Sequence, residues 1–227
     1  RKLLKKNHVY DETMEHDACG VGLVASTEGL KSRKVVEYGI EALKAVWHRG
    51  AIDADGKTGD GAGIHIEIPN DFFVEKIEIT GHEHDNSDLC VGMIFLPRND
   101  FGGQEQCRSI VESELTKKNF NIYGWRQVPV DPSVLGEKAE QTRPEIAQVL
   151  FTHNDKSIHG KDLERALYET RRKIEKEALR NQLNNFYICS FSSKSIIYKG
   201  MFLAESLSDF YPDLKDERFI SRYAIFH

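Results

Sequence analysis

Residues 16–25 read His16-Asp17-Ala18-Cys19-Gly20-Val21-Gly22-Leu23-Val24-Ala25. A thiol opens a strand-like apolar segment, with a small residue before it and a glycine after it. Cleavage between Ala18 and Cys19 would give a chain that begins with cysteine and carries a free α-amine beside its own thiol. An α-amino group has a pKa of about 7.7–8.0, so it can act as a base near neutral pH and activate the thiol without a separate histidine. The alternative is a buried structural cysteine in a strand.

Length and composition describe a globular chain. Its 227 residues are enough for one domain with a substantial core, and 40% hydrophobic with 30% charged residues excludes a disordered or membrane protein. A net charge of −5 with interspersed signs does not fit a nucleic-acid-binding surface. The basic start Arg1–Lys6 lacks the apolar core of a signal peptide, and no later stretch is long enough to span a bilayer. We therefore expect no nucleic-acid or membrane partner.

The four cysteines, Cys19, Cys90, Cys107 and Cys189, are widely spaced and form no CxxC pair. This spacing argues against a disulfide framework or a zinc ribbon and favours a reducing cytoplasm. Except for Cys19, they sit in or beside apolar runs and are predicted to be core thiols. The cluster His82-Glu83-His84-Asp85 lacks zinc-finger spacing, so we predict a solvated loop and no metal site.

Apolar spacing predicts a mixed α and β fold. Val36, Ile40, Leu43 and Trp47 form one stripe of a helix from Arg33 to His48, with Gly50 just past its end. Segments 186–191 and 195–198 are predicted to form a hairpin closed by Ser192-Ser193-Lys194. Further strands are predicted near 20–25, 64–68, 91–96, 120–130 and 146–151, and further helices near 104–118 and from Leu163 to Ala178. The order favours stacked antiparallel sheets with helices outside. Because the chain lacks an initial Met and stops in an apolar run, we expect a fragment shortened at both ends.

Three segments carry a resemblance to a known family: Cys19–Gly22, His48-Arg49-Gly50-Ala51 and Thr58-Gly59-Asp60-Gly61-Ala62-Gly63-Ile64. In this order and spacing they resemble the class II glutamine amidotransferase domain of the glutamate synthase large subunit. The likeness is strong over about residues 10–68 and returns in Ser221–His227.

The resemblance implies an N-terminal nucleophile hydrolase, a four-layer αββα sandwich truncated at its C-terminal end. Residues 1–18 would be a propeptide-like leader, and 19–227 part of the amidotransferase domain. Cys19 would attack the side-chain amide of L-glutamine and release ammonia. Arg49, Gly59, Asp60 and Gly61 would shape the glutamine site.

Other readings of these residues stay open. Arg49 can be an ordinary cation at a helix end, and His48 is expected to be structural. The glycine-rich loop can be a tight turn into a buried strand. It lacks the Lys-Ser/Thr of a phosphate-binding loop, and a strand follows it rather than a helix.

For the complete enzyme, the resemblance implies FMN, a [3Fe–4S] cluster and electrons from NADPH or ferredoxin, with no cofactor site in this segment. Partners would be the downstream synthase domains, which make glutamate from 2-oxoglutarate, and a small NADPH-binding subunit. The residues that grip the substrate carboxylate and form the oxyanion hole would follow this segment, so the isolated chain is expected to hydrolyse glutamine barely if at all. The alternatives are an amidotransferase of an amido-sugar, purine or asparagine pathway, and a non-catalytic scaffold.

Overall fold

The structure is a computed structural model, and it describes residues 20–46, 50–85 and 87–227. Within these residues, the strands are β1 (Gly22–Ala25), β2 (Ala62–Glu67), β3 (Cys90–Leu96), β4 (Phe120–Gln127), β5 (Glu145–His153), β6 (Tyr187–Ser192), β7 (Ser195–Gly200) and β8 (Tyr223–Phe226). The helices are α1 (Arg33–Ala45), α2 (Asn70–Ile79), α3 (Phe101–Lys117), α4 (Glu137–Thr142), α5 (Gly160–Arg180) and α6 (Leu207–Phe210).

The strands form two antiparallel sheets. The first sheet has the order β1-β8-β2-β7, and the second has the order β4-β5-β3-β6. In the first sheet, Gly22 pairs with Phe226 and Ile64 pairs with both Phe226 and Tyr198. The predicted stacking of antiparallel sheets agrees with this architecture, and β8, the last strand, lies between β1 and β2.

Two hydrophobic clusters hold the layers together. One cluster joins residues of both sheets, α1 and α2, including Ile66, Ile196, Met93 and Leu150. The other lies between the second sheet and the helices α3 and α5, where Val111 and Leu167 are fully buried. Both faces of the second sheet are thus packed, which explains why β3 reads as a continuous apolar run.

Helix α1 is shorter than the apolar pattern predicts. It begins at the N-cap Ser32, whose side chain accepts a hydrogen bond from the Lys34 amide, and it ends at Ala45. The amide of Val46 donates to the carbonyl of Leu43 at 3.2 Å, which closes the last turn. Trp47, His48 and Arg49, which the prediction placed at or just after the helix end, lie outside the described residues.

The predicted hairpin of segments 186–191 and 195–198 is wrong. β6 pairs with β3 and β7 pairs with β2, so the two strands belong to different sheets. Ser193 and Lys194 form a corner between the two strands, and hydrogen bonds to the carboxylate of Glu164 in α5 stabilise this corner. That carboxylate accepts hydrogen bonds from the Ser192 hydroxyl at 3.0 Å and from the Ser193 amide at 2.8 Å. A short serine-rich link is equally compatible with a hairpin, so the sequence alone misled the prediction.

Candidate active site

The glycine-rich motif forms the end of a narrow two-stranded loop, residues 51–60. Ile52 bridges to Gly59, and the amide of Asp53 donates to the carbonyl of Thr58 at 2.9 Å. The loop turns at Gly56, whose φ of 70° lies in the left-handed region that glycine tolerates. The motif is therefore a tight turn that leads into β2, and it presents Asp60 and Gly61 just before the strand begins.

Asp55 fixes the shape of this loop from inside. Its carboxylate accepts hydrogen bonds from the amides of Lys57 at 2.9 Å and Thr58 at 2.7 Å, and from the Thr58 hydroxyl at 2.5 Å. These hydrogen bonds, of which the one from the Thr58 hydroxyl is the strongest cause, hold the pKa of Asp55 well below its usual value. The ionised carboxylate thus organises the loop at neutral pH.

Two contacts anchor the loop to the rest of the chain. Lys138 of α4 donates to the Asp53 carboxylate at 2.6 Å, and this hydrogen bond lowers the pKa of Asp53. On the other side, a Cβ built on Gly59 would lie 2.7 Å from the carbonyl oxygen of Phe202. Only a glycine lets the loop backbone lie directly against the backbone at Phe202 and Leu203.

A cavity of about 310 Å³ opens between this loop, the end of α1 and the segment after β7. Its volume is at the lower end of the range usual for small-molecule sites. The lining residues named by the site prediction are Asp60 and Gly61, and Glu205 and His227 also line the cavity. The remaining lining residues are Gly20, Leu43, Val46, Gly50, Ile52, Gly56, Ala62, Phe202, Leu203 and Ala204.

The structure brings part of the predicted site together. Asp60 is exposed at the cavity, Gly61 lines it, and Gly59 is buried behind its wall against Phe202. Cys19 and Arg49 lie outside the described residues, as does His48. However, the residues that follow them directly in sequence, Gly20 and Gly50, both line the cavity.

Sequence reasoning missed one wall of the cavity, residues Phe202–Glu205. No motif marks this segment, and its only cue is the contact that Gly59 makes with it in three dimensions. His227 belongs to the terminal stretch that resembled the family, but it was not selected as a site residue.

A second, larger cavity of about 900 Å³ adjoins the first. The two share Asp60, Gly61, Ala62, Phe202 and His227. The larger cavity extends past Arg98 and Arg143, both of which pair with Glu140. The shared residues make the two spaces neighbours at the start of β2.

The segment His82–Asp85 is a loop, as predicted. Asp85 pairs with Lys156 at 2.9 Å, and the Nδ1 of His82 lies 3.0 Å from the Thr80 hydroxyl. Across residues 20–46, 50–85 and 87–227, no three His, Cys, Asp or Glu side chains are grouped so as to hold a metal ion.

Cys90, Cys107 and Cys189 are buried free thiols, which confirms their assignment to the core. Burial raises the pKa of Cys107 and of Cys189 to about 11 and raises that of Cys90 further. They are poor nucleophiles at neutral pH. None of the helices in the described part of the chain is both long and apolar enough to cross a membrane.

Comparison with known families identifies the class. Residues 19–227 match the family described as glutamine amidotransferases class-II. The chain therefore belongs to the class II glutamine amidotransferases, which confirms the family resemblance read from Cys19–Gly22 and the two later segments.

The chain is also similar to segments of much longer glutamate synthases. It is 56% identical over 220 residues to the glutamate synthase [NADPH] large chain of Azospirillum brasilense, covering 97% of this chain and 14% of that protein. It is 39% identical over 219 residues to ferredoxin-dependent glutamate synthase 1, chloroplastic/mitochondrial, of Arabidopsis thaliana, covering 96% and 13%. For ferredoxin-dependent glutamate synthase 2 of Synechocystis sp., the identity is 37% over 214 residues, covering 94% and 13%. The chain thus spans about one seventh of the length of these relatives.

Proposed function

We propose that this chain hydrolyses L-glutamine in the cavity beside Asp60, with Cys19 as the nucleophile. The observation that carries the proposal is the position of Gly20 and Gly50, because both line the cavity together with Asp60 and Gly61. Each directly follows a predicted site residue, Cys19 or Arg49. Two parts of the chain that are distant in sequence thus lead to the same space.

The proposed chemistry uses the thiol and the α-amine of one residue. The amine accepts the thiol proton, and the sulfur adds to the side-chain amide carbon to give a tetrahedral oxyanion. When this intermediate collapses, the C–N bond breaks and the nitrogen leaves as ammonia with the proton returned by the amine. Water then hydrolyses the thioester, which releases glutamate and restores the thiol.

Charges at the cavity fit an amino acid substrate. The carboxylates of Asp60 and Glu205 suit its α-ammonium group, and hydrogen bonds to charged groups are the stronger ones. Among the described lining residues there is no lysine or arginine to balance the α-carboxylate. We propose that Arg49, next to Gly50, contributes positive charge to the pocket.

We propose that residues 1–18 are a leader whose removal frees the α-amine of Cys19, and that 19–227 are part of an N-terminal nucleophile hydrolase with a four-layer αββα arrangement. The family match, which begins at residue 19, and the two antiparallel sheets support this.

For the complete protein, we propose a glutamate synthase in which this domain supplies ammonia to a synthase part that acts on 2-oxoglutarate. The names of two similar proteins mention NADPH or ferredoxin, and we propose that one of these is the electron donor. The [3Fe–4S] cluster would bind outside this segment, because Cys90, Cys107 and Cys189 are separate core thiols, and we assign FMN to the synthase part as well. A small NADPH-binding subunit and a reducing, cytoplasmic location complete the proposal.

The test uses the full-length protein and follows glutamate and ammonia release from glutamine. We expect Cys19→Ala to lower the rate at least about a thousandfold, because nothing else can form the thioester. Cys90→Ala, which removes a buried thiol, is the matched control and should keep the activity per folded molecule. Mass spectrometry of the purified protein should find Cys19 as its first residue. Undiminished turnover in Cys19→Ala, or with the leader still attached, contradicts the proposal, and an intact, inactive precursor favours a scaffold role.

A further inference from the structure

Four polar side chains, three of them buried and the fourth mostly buried, form a closed ring of hydrogen bonds near the wall of the cavity. Arg126 of β4 donates to both carboxylate oxygens of Asp213, at 2.7 and 2.6 Å, and to the amide oxygen of Gln148 at 2.8 Å. The amide nitrogen of Gln148 donates to the Tyr198 hydroxyl at 3.1 Å, and this hydroxyl donates to Asp213 at 3.1 Å. The ring therefore joins β4 and β5 of the second sheet, β7 of the first sheet and the turn at 212–215.

The ring is largely shielded from bulk water, and the Arg126 side chain, 14% exposed, is its most accessible member. Gln148 and Tyr198 are 0% exposed and Asp213 is 6% exposed. Burial is the main reason why the pKa of Tyr198 lies well above its usual value, so its hydroxyl stays protonated and can donate to Asp213. Because Arg126 can only donate and the Tyr198 hydroxyl donates to Asp213, the Gln148 amide turns its oxygen to Arg126 and its nitrogen to Tyr198.

A chain of contacts leads from the hydrogen-bonded ring to the cavity. Tyr211, two residues before Asp213, packs edge-on against Tyr198 with ring centroids 5.0 Å apart. Its hydroxyl donates to the carbonyl of Lys199 at 2.8 Å. The aromatic side chains of Phe210 and Phe202 are in contact, with centroids 5.0 Å apart. The backbone of Phe202 is the part of the cavity wall that Gly59 contacts.

We propose that Arg126, Asp213, Gln148 and Tyr198 are positioning residues for the glutamine site. The hydrogen-bonded ring fixes the position of segment 202–215 relative to the two sheets. That segment in turn fixes the position of Gly59 and Asp60 at the cavity. None of the four touches the substrate. The inference rests on the proposed function, because it concerns the binding of glutamine at that cavity.

The experiment compares Asp213→Asn and Tyr198→Phe with the unchanged full-length protein. Asp213→Asn keeps the shape but weakens the paired interaction with Arg126, and Tyr198→Phe removes only the hydroxyl. We expect each to raise the KM for glutamine about tenfold, the scale of one lost interaction, with a smaller change in kcat per folded molecule. Tyr198→Phe serves as the decisive variant if Asp213→Asn does not fold.

The matched control is Glu164→Gln, which weakens the hydrogen bonds at the corner between β6 and β7 and does not line the cavity. It should lower the Tm without changing the KM. If the ring variants lower the Tm but keep the KM of the unchanged protein, the ring is only structural and the inference fails. If the unchanged protein itself does not hydrolyse glutamine, the proposed function fails instead.

Discussion

Gly59 is a residue whose importance comes from what lies beside it. Its backbone lies against that of Phe202. An added Cβ would lie 2.8 Å from the carbonyl carbon of Phe202 and 3.1 Å from the amide nitrogen of Leu203. Backbone atoms cannot relieve a clash by a change of rotamer, as a flexible side chain can. Any larger residue must therefore move the loop away from segment 202–205.

We predict that Gly59→Ala destabilises the protein by about 1–3 kcal/mol, as overpacking usually does, and raises the KM for glutamine about tenfold. The unfolding free energy and the glutaminase kinetics of the full-length protein check this. Gly102→Ala is the control, because Gly102, like Gly59, has no positive φ, but the nearest atom to its added Cβ is an Asp100 carboxylate oxygen at an ordinary 3.6 Å. If both variants bind glutamine normally, the contact with Phe202 does not shape the site.

At this scale the sequence placed Gly59, Asp60 and Gly61 together in a tight turn before a strand, because a dense run of glycines and aspartates limits the possible backbone. It did not locate Phe202 or Glu205. These residues come close to the loop only through the pairing of β2 with β7, which a local pattern does not contain.

Among the elements, α2 is tied to the end of the 212–215 turn by an ionic network. Arg218 donates to both oxygens of Asp216, at 2.9 and 2.7 Å, and also pairs with Glu75 of α2. The hydrogen bond from Arg218 lowers the pKa of Asp216 to about 2. The sequence did not predict α2, which begins directly after Pro69 and carries Phe72 and Phe73 into the core.

The lowered pKa of Asp216 gives a pH-dependent stability. Because the folded pKa of about 2 lies below the ordinary value of 3.8, the ionised form stabilises the fold above about pH 4, and this contribution is lost as the pH falls to 2. We predict that Asp216→Asn lowers the unfolding free energy by about 1 kcal/mol at pH 7 and that the difference from the unchanged protein shrinks steadily as the pH falls through 2.

Chemical denaturation at several pH values measures this difference. Asp209→Asn, which breaks the more exposed pair with Lys215, is the matched control and should have little effect at any pH. A constant difference between pH 7 and pH 2 would rule out the contribution of Asp216 ionisation.

In the whole molecule, both sheets and their helices enclose three cysteines in two hydrophobic clusters. Cys90 and Cys107 lie between the second sheet and its helices, and Cys189 lies in the cluster that joins the sheets. A thiol with a pKa of about 11 is a thiolate in only about one molecule in a thousand at pH 8.

We predict that these three thiols stay unlabelled by iodoacetamide in the folded protein and become labelled together on unfolding. Peptide mapping by mass spectrometry after labelling at pH 8, with and without denaturant, measures this. Cys19 serves as the internal control, because the proposed nucleophile should react in the native protein and be protected by glutamine. Labelling of Cys107 before denaturation would show that the layer of α3 and α5 opens locally.

The sequence predicted the class of fold well because most strands alternate or are apolar throughout, and α1, α3 and α5 keep a helical stripe. It could not predict which strands pair. Strand β6 pairs with β3 and packs in the same hydrophobic cluster as Val111 of α3 and Leu167 of α5, which are distant in sequence. The residues between β6 and β7 would suit a hairpin equally well. The fold class was accessible from periodicity, but the pairing depends on long-range packing.

The corner at Ser193 and Lys194 couples the alignment of the two sheets. β6 ends at Ser192 and β7 begins at Ser195, so the connection between them is too short to absorb a shift of either strand. A slip of one residue in β7 against β2 would reverse which side chains point inward, and the same slip would pull β6 along β3. An error of register made in one sheet is thus transmitted to the other.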